Sequence, residues 1–444
     1  MVIERSDREE ETSPVDIICP LYYYVYHSPF VSQLLAFNIN KKIARLNAAS
    51  KSVMVSDKYK YVRELAQLLT TDPRLGDQLK SEVVTRLIQF LENKRFNITF
   101  YAAVVLSYIV SSKHGSVIKD ETVPYLLNLI PSPDMMVRVQ ALITLNKIAK
   151  VYPDSYDTMI KNGVLELLES LFTNKDKIDA SKKNIGSLLE RAGGLLTTLC
   201  RMKQQLQSDV MIKVVRIISI AIVNDFELVL IQICLLISIL SDRGFVEIGF
   251  EVIRLLDLID HSQYKIVISA LRTIGNYVRW GSVENIQQFM IERGLLLHLK
   301  KVLCHEYTIV RKEASWIISN ITAVANHSHI QEVIGLGLID MLIKLVRTEE
   351  FEVKEVAAHA IFNAVSGSKG KQFMYLKENC FPLVDEVRSF CHDDGRVVTL
   401  CSKILQLDNI GASVTTGTTA ADRVSGSAKC ARPFEKVTRK KNRR

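Results

Sequence analysis

From about residue 57 to residue 408, apolar side chains recur at intervals of three and four, and runs that alternate apolar with polar are nearly absent. That spacing places the apolar positions on one stripe of a helix, so the pattern predicts helix after helix and no sheet. The helices also recur as a unit. Segments rich in small and branched apolar residues appear at 99–110, 138–149, 190–200, 231–240, 270–278, 312–322, 355–365 and 397–407. Each unit begins with a turn and ends with a leucine-rich helix, as in "IERGLLLHLKKVL" at 291–303 and "IGLGLIDMLIKLV" at 334–346. There Gly294, or Gly335 and Gly337, interrupts the helix before the apolar spacing resumes. Equivalent positions Val104, Ile143, Gly194, Leu235, Arg272, Trp316 and His359 lie 39, 51, 41, 37, 44 and 43 residues apart.

Repeats of roughly 42 residues, each a short helix, a turn and longer helices, predict an all-α armadillo-repeat architecture. One repeat cannot bury its own apolar face, so neighbours stack into a right-handed superhelix, an α-solenoid whose concave groove is lined by the third helix of each repeat. About eight to nine such repeats are expected over residues 16–410. The 51-residue step contains "TNKDKIDASKKN" at 173–184, which is expected to be a mobile surface loop. Residues 1–15 form an acidic stretch and residues 411–444 a Ser/Thr/Gly-rich and then basic tail. Both carry too little apolar content to fold alone and are expected to be disordered. The aromatic "PLYYYVYHSPF" at 20–30 is expected to cap the first repeat.

Composition narrows the chemistry. The 444 residues are 48% apolar and 24% charged, enough for a sizeable core. The net charge of +9 suggests nucleic acid until it is mapped: residues 429–444 hold eight basic residues against Glu435. Nucleic-acid binding would rest on that tail alone, without interleaved aromatics, and is not expected. Eight cysteines stand without C-x-x-C spacing, so no metal site, disulfide framework or cofactor is predicted. His327 and His329, expected in a loop, have no acid or cysteine at ligand spacing. The most apolar stretch, 214–240, is interrupted by Arg216, Asn224, Asp225, Glu227 and Gln232, and the start is acidic. Neither a membrane span nor a secretory leader is expected. "SGSKGKQ" at 366–372 lacks the first glycine and the terminal Ser/Thr of a P-loop, and "GLG" at 335–337 lacks a dinucleotide turn's third glycine. No enzyme is expected.

The segment "VRKEASWIISNITA" at 310–323, with "ALRTIGNYV" before it and "EEFEVKEVAAHAIFNAVSG" after it, resembles importin-α, the karyopherin adaptor that recognises nuclear localisation signals. The likeness is densest over 231–407. In that family tryptophans one turn before asparagines form a ladder along the groove, since residues four apart share a helix face. The indoles make slots for lysine stems, the Asn amides hold an extended peptide backbone, and nearby acids take the ammonium. The resemblance implies peptide-binding roles for Trp316, Asn320 and Glu313, with Asn276 and Asn363 keeping the asparagine, Arg272 the family's arginine and His359 in a tryptophan position. It implies cargo proteins bearing basic signals as partners, nuclear import as the function, and residence in cytoplasm and nucleus. Importin-β and an export receptor would be further partners, although no importin-β-binding segment is recognisable.

Departures are as informative. Val356 stands where an acid would be, and the other Trp/Asn pairs align with Val104/Tyr108, Ile143/Lys147, Gly194/Thr198 and Leu235/Ile239. No tryptophan slot is expected there. Lys147 would face a basic peptide, and like charges about 4 Å apart repel by roughly 4 kcal/mol at an effective dielectric near 20. Basic peptides should therefore use the C-terminal half. The alternative is an armadillo scaffold that has lost the signal-receptor role. The basic run "KVTRKKNRR" at 436–444 would be a localisation signal or a mimic of cargo. Trp280 is expected just beyond its helix, packing at the helix end.

Overall fold

A computed structural model describes residues 55–174, 182–243, 251–280, 294–324, 327–348, 350–390 and 395–413. The expected capping segment at 20–30, residues 1–15 and residues 414–444 lie outside the described residues, as does most of the insertion at 173–184; residues 411–413, expected in the disordered tail, instead end the last helix, Gly395–Ser413. Every regular element among the described residues is helical. The chain divides into two compact units, Met1–Val164 and Leu165–Arg444.

In unit 1, helices α1 (Val55–Thr71), α3 (Phe96–Ile109) and α5 (Met135–Val151) pack side by side. Helices α2 (Ser81–Gln89), α4 (Gly115–Asn128) and α6 (Ser155–Lys161) complete it. The Asp134 carboxylate accepts the Val137 N–H at 3.0 Å and so starts α5. Unit 2 begins with α7 (Val164–Thr173), followed by α8 (Lys182–Met202), α9 (Ser208–Ala221), α10 (Glu227–Asp242), α11 (Glu251–Ile259) and α12 (Tyr264–Trp280). Then come α13 (Leu295–Val302), α14 (Thr308–Val324), α15 (His327–Gly335), α16 (Leu338–Thr348), α17 (Phe351–Gly367), α18 (Lys371–Phe390) and α19 (Gly395–Ser413). Helices α8, α10, α12, α14, α17 and α19 form a continuous stack, each against the next.

Why these helices stack is visible in their sequences. Helix α10, ELVLIQICLLISILSD, has too many apolar residues for one stripe, because it is sandwiched between α8 and α12. Nine of its residues are buried, among them Ile233, Leu236, Ile237 and Leu240. The interhelical hydrogen bonds carry the repeat. In unit 1 Thr144 donates to the Ala103 carbonyl (3.2 Å) and the Tyr152 hydroxyl to the Val110 carbonyl (3.0 Å). In unit 2 Arg243 donates to the Cys200 carbonyl at 2.7 Å and Thr322 to the Ala360 carbonyl at 3.3 Å. Each joins positions one repeat apart; for the buried Thr144 and Thr322 hydroxyls, which need a partner, the neighbouring third helix supplies it. Gly294 and Gly337 lie at φ +71° and +73°, immediately before the leucine-rich α13 and α16. A left-handed turn at that point suits glycine.

The stack is the armadillo arrangement read from the 42-residue period. Two local expectations are corrected. His327 and His329 lie in helix α15, not a loop, because that helix buries His329 against the core at 0% exposure. Trp280 is the last residue of α12 and does not lie beyond it. No helix among the described residues is long and apolar enough to cross a membrane, and no His/Cys/Asp/Glu cluster among them could hold a metal ion.

Candidate functional site

The seven residues singled out in the sequence fall on three consecutive third helices. Arg272 and Asn276 lie on α12, Glu313, Trp316 and Asn320 on α14, and His359 and Asn363 on α17. Helical spacing of three and four puts each set on one face, and the stacking of α12, α14 and α17 joins the sets.

Asparagine is the recurring element. Asn276 Nδ2 donates to Asp242 Oδ1 (2.6 Å), Ser241 Oγ (2.9 Å) and the Ser238 carbonyl (3.4 Å) on α10. One repeat later Asn320 Nδ2 donates to the Gly275 carbonyl at 3.2 Å, and after another Asn363 Nδ2 donates to the Ser319 carbonyl at 3.0 Å. All three are buried, at 1%, 0% and 5% exposure. Each amide thus ties its helix to the preceding one through its nitrogen. The amide oxygen of Asn320 is buried and without a donor among the described residues.

The charges are paired inside the chain. Glu313, 7% exposed, accepts the Arg272 Nε–H at 2.7 Å. Lys312, also buried, pairs with the exposed Glu352 on α17. Sequence reading supplied Arg272 and Glu313 as separate family positions; it did not join them. It also missed Lys312 with Glu352, although both follow the repeat spacing. His359 is partly buried, and burial lowers its affinity for a proton; Glu355 opposes and Lys403 adds to that shift.

Trp316 does not form the open slot expected from the resemblance. Its indole is 2% exposed and lies against Gly275 of α12, where a Cβ would be 1.9 Å from Trp316 Cζ3. The ring fills the volume that the missing side chain leaves. A glycine in the middle of "LRTIGNYV" costs about 1 kcal/mol relative to alanine, and that cost was the overlooked signal for close packing.

In unit 1 the positions equivalent to the ladder differ in kind. Val104, Tyr108 and Ile143 are partly exposed and Lys147 is exposed. Lys147 Nζ sits 4.9 Å from the centre of the Tyr108 ring and donates to the Ser107 carbonyl at 3.0 Å. The face of the Tyr108 ring is thus taken by a lysine of the chain itself.

A family model described as Armadillo/beta-catenin-like repeat matches residues 326–366, which hold α15, α16 and nearly all of α17. Importin subunit alpha-1b of Oryza sativa subsp. japonica is 31% identical over 395 residues, covering 84% of this chain and 71% of that protein. Importin subunit alpha-5 of Arabidopsis thaliana is 31% identical over 401 residues, covering 87% and 74%. Importin subunit alpha-1a of Oryza sativa subsp. japonica is 32% identical over 331 residues, covering 71% of this chain, which spans 61% of that relative's length. Among solved structures, an engineered protein from the Northeast Structural Genomics Consortium superposes with a TM-score of 0.52 at 18% identity, covering 82% of this chain and 98% of its own. That likeness is one of fold.

Proposed function

Because the chain belongs to the importin-α family, a family of transport adaptors and not of enzymes, we propose that it holds an extended basic segment of cargo along α12, α14 and α17 for import into the nucleus. The observation that carries the reading is the asparagine register: Asn276, Asn320 and Asn363 recur 44 and 43 residues apart, each anchored through its nitrogen. An anchored amide nitrogen leaves the oxygen to accept an N–H from a peptide backbone. At Asn320 that acceptor is buried without a donor, a state that costs about 1–3 kcal/mol. A backbone N–H that reached it, once the side chains covering it moved aside, would recover that cost.

In this reading the asparagines clamp the backbone, and Glu313, with Arg272 beside it, supplies the attraction for an ammonium group. His359, half-buried, is a wall of the groove. Trp316 is the floor beneath the segment. Lifting its indole for a cation–π contact would gain about 0.5–2 kcal/mol and expose a side chain whose burial is worth roughly 1.5–3 kcal/mol, so it stays down. Affinity is therefore weak, in the micromolar range or poorer. Cargo partners, and residence in cytoplasm and nucleus, follow from family membership as parts of this proposal, as do contacts with importin-β and an export receptor.

A second reading, an armadillo scaffold for a segment that need not be basic, is favoured by one observation: Glu313 and Glu352 are already neutralised by Arg272 and Lys312. Fluorescence anisotropy of a labelled lysine-rich peptide, and of the same peptide with lysines replaced by glutamine, titrated with the full chain separates the two. The adaptor reading expects binding of the lysine peptide alone, weakened fivefold or more by Asn363→Ala and by Glu313→Gln. Equal binding of both peptides supports the scaffold. Failure of the lysine peptide to bind at 100 μM overturns the adaptor.

A further inference from the structure

Helices α1, α3 and α5 of unit 1 have the opposite charge balance from an acidic, tryptophan-lined groove. Helices α1, α3 and α5 together carry six basic residues, Lys58, Lys60, Arg63, Arg138, Lys147 and Lys150, against two acids, Asp57 and Glu64, both on α1. Helices α3 and α5 hold no acid at all. Two of the cations, Arg63 and Lys147, flank a tyrosine stripe, while Lys58 lies over Phe90 and Arg138 donates to the Ile130 carbonyl. Arg63 lies 6.0 Å from the centre of the Tyr59 ring, Tyr59 meets Tyr101 edge-on at 5.9 Å, and Tyr108 carries Lys147 at 4.9 Å. Tyr101, Val104 and Tyr108 follow one another on one side of α3 at helical spacing. All three tyrosines are partly exposed, and Arg63 and Lys147 are exposed. No hydroxyl of Tyr59, Tyr101 or Tyr108 bonds to another described residue. Phenol, guanidinium and ammonium groups all donate hydrogen bonds.

We propose that this face docks an extended acidic segment of a partner protein, with one carboxylate at Arg63, another at Lys147, and the tyrosine stripe beneath the residues between. Neighbouring helices 8–10 Å apart put the outer two of three at roughly 16–20 Å, the span of about five or six extended residues at ~3.3 Å each. The occupant is thus a segment whose acids stand about five residues apart. Charge complementarity is the argument: a basic segment meets two fixed cations here, while an acidic one meets donors throughout. The inference concerns unit 1 and is independent of the basic-cargo reading for unit 2. It makes the chain a carrier of two kinds of segment.

The test uses the full chain with Lys436, Arg439, Lys440, Lys441, Arg443 and Arg444 replaced by glutamine, so that the basic run at 436–444 cannot compete. A labelled 12-residue peptide of Glu, Asp and Gly is titrated by anisotropy at 50 and 200 mM salt. Binding is expected, weaker at the higher salt and at least tenfold weaker in Arg63→Glu/Lys147→Glu. Lys300→Glu, an exposed site in unit 2, should leave it unchanged. Should the charge reversal lower the melting temperature, Arg63→Gln/Lys147→Gln replaces it, with at least a fivefold loss expected. No binding by the tail-neutralised chain, or equal affinity of parent and both Arg63/Lys147 variants, overturns the proposal.

Discussion

Gly275→Ala tests the packing at the centre of the candidate site. The substitution adds one methyl group, and that carbon would lie 1.9 Å from Trp316 Cζ3, 2.4 Å from Cε3 and 3.0 Å from Cη2. Non-bonded carbons rest at 3.5–4.0 Å, so the rigid indole must shift by more than 1 Å or α12 and α14 must separate. The ring is 98% buried and cannot swing into solvent without losing its burial. Overpacking of this kind costs typically 1–3 kcal/mol and more when the neighbour is rigid. Alanine recovers about 1 kcal/mol because it is the better helix former in mid-helix. The net expectation is a loss of about 2 kcal/mol, with the sign set by the clash. Gly335→Ala is the control, since nothing lies within 4 Å of its added carbon; there the helix preference should act alone and stability should hold or rise. Urea unfolding followed by circular dichroism gives the free energies, and tryptophan emission reports whether the indole has moved. A double variant, Gly275→Ala/Trp316→Leu, should regain part of the loss relative to the sum of the single changes. If Gly275→Ala is as stable as the wild type with unchanged emission, the seat of Trp316 on Gly275 is refuted.

Other outcomes follow from the same structure. Asn276→Leu removes the amide donor that Asp242 Oδ1, Ser241 Oγ and the Ser238 carbonyl share at the α10–α12 contact and should cost about 1–3 kcal/mol by urea unfolding; a neutral result would deny the asparagine its tying role. Burial pushes the thiols of Cys200, Cys234 and Cys380 up to about 12, while Cys304 is exposed. With Ellman's reagent at pH 8, Cys304→Ser should therefore remove one equivalent of fast reaction and Cys200→Ser none. The proton affinities of His329 and His359 are held below their ordinary value of 6.5 by burial, against Glu332 at the former and against Glu355 at the latter, where Lys403 reinforces the shift. The unfolded chain takes up those protons first, so stability is full above about pH 6.5 and falls as the pH drops below it. His359→Gln should flatten that fall; an unchanged slope between pH 7 and 5.5 would exclude His359 as a source.

The helical class, the period and the register of the groove were legible in the sequence, because they depend on which residues share a helix face, and that is fixed by spacings of three and four. Asn276, Asn320 and Asn363 could be aligned on that basis alone, whereas the expectation that Lys147 opposes a basic peptide came from the family resemblance. Depth and pairing were not legible. Whether Trp316 is a slot or a floor is decided by Gly275 on the neighbouring helix, and whether Glu313 is an open charge is decided by Arg272, each 41 residues away along the chain. Periodicity specifies the direction in which a side chain points from its own axis, whereas exposure depends on the atoms that the adjacent repeat places over it. The same holds for Lys147: its charge was readable, but its seat on Tyr108 and the Ser107 carbonyl exists only once α3 and α5 are packed together.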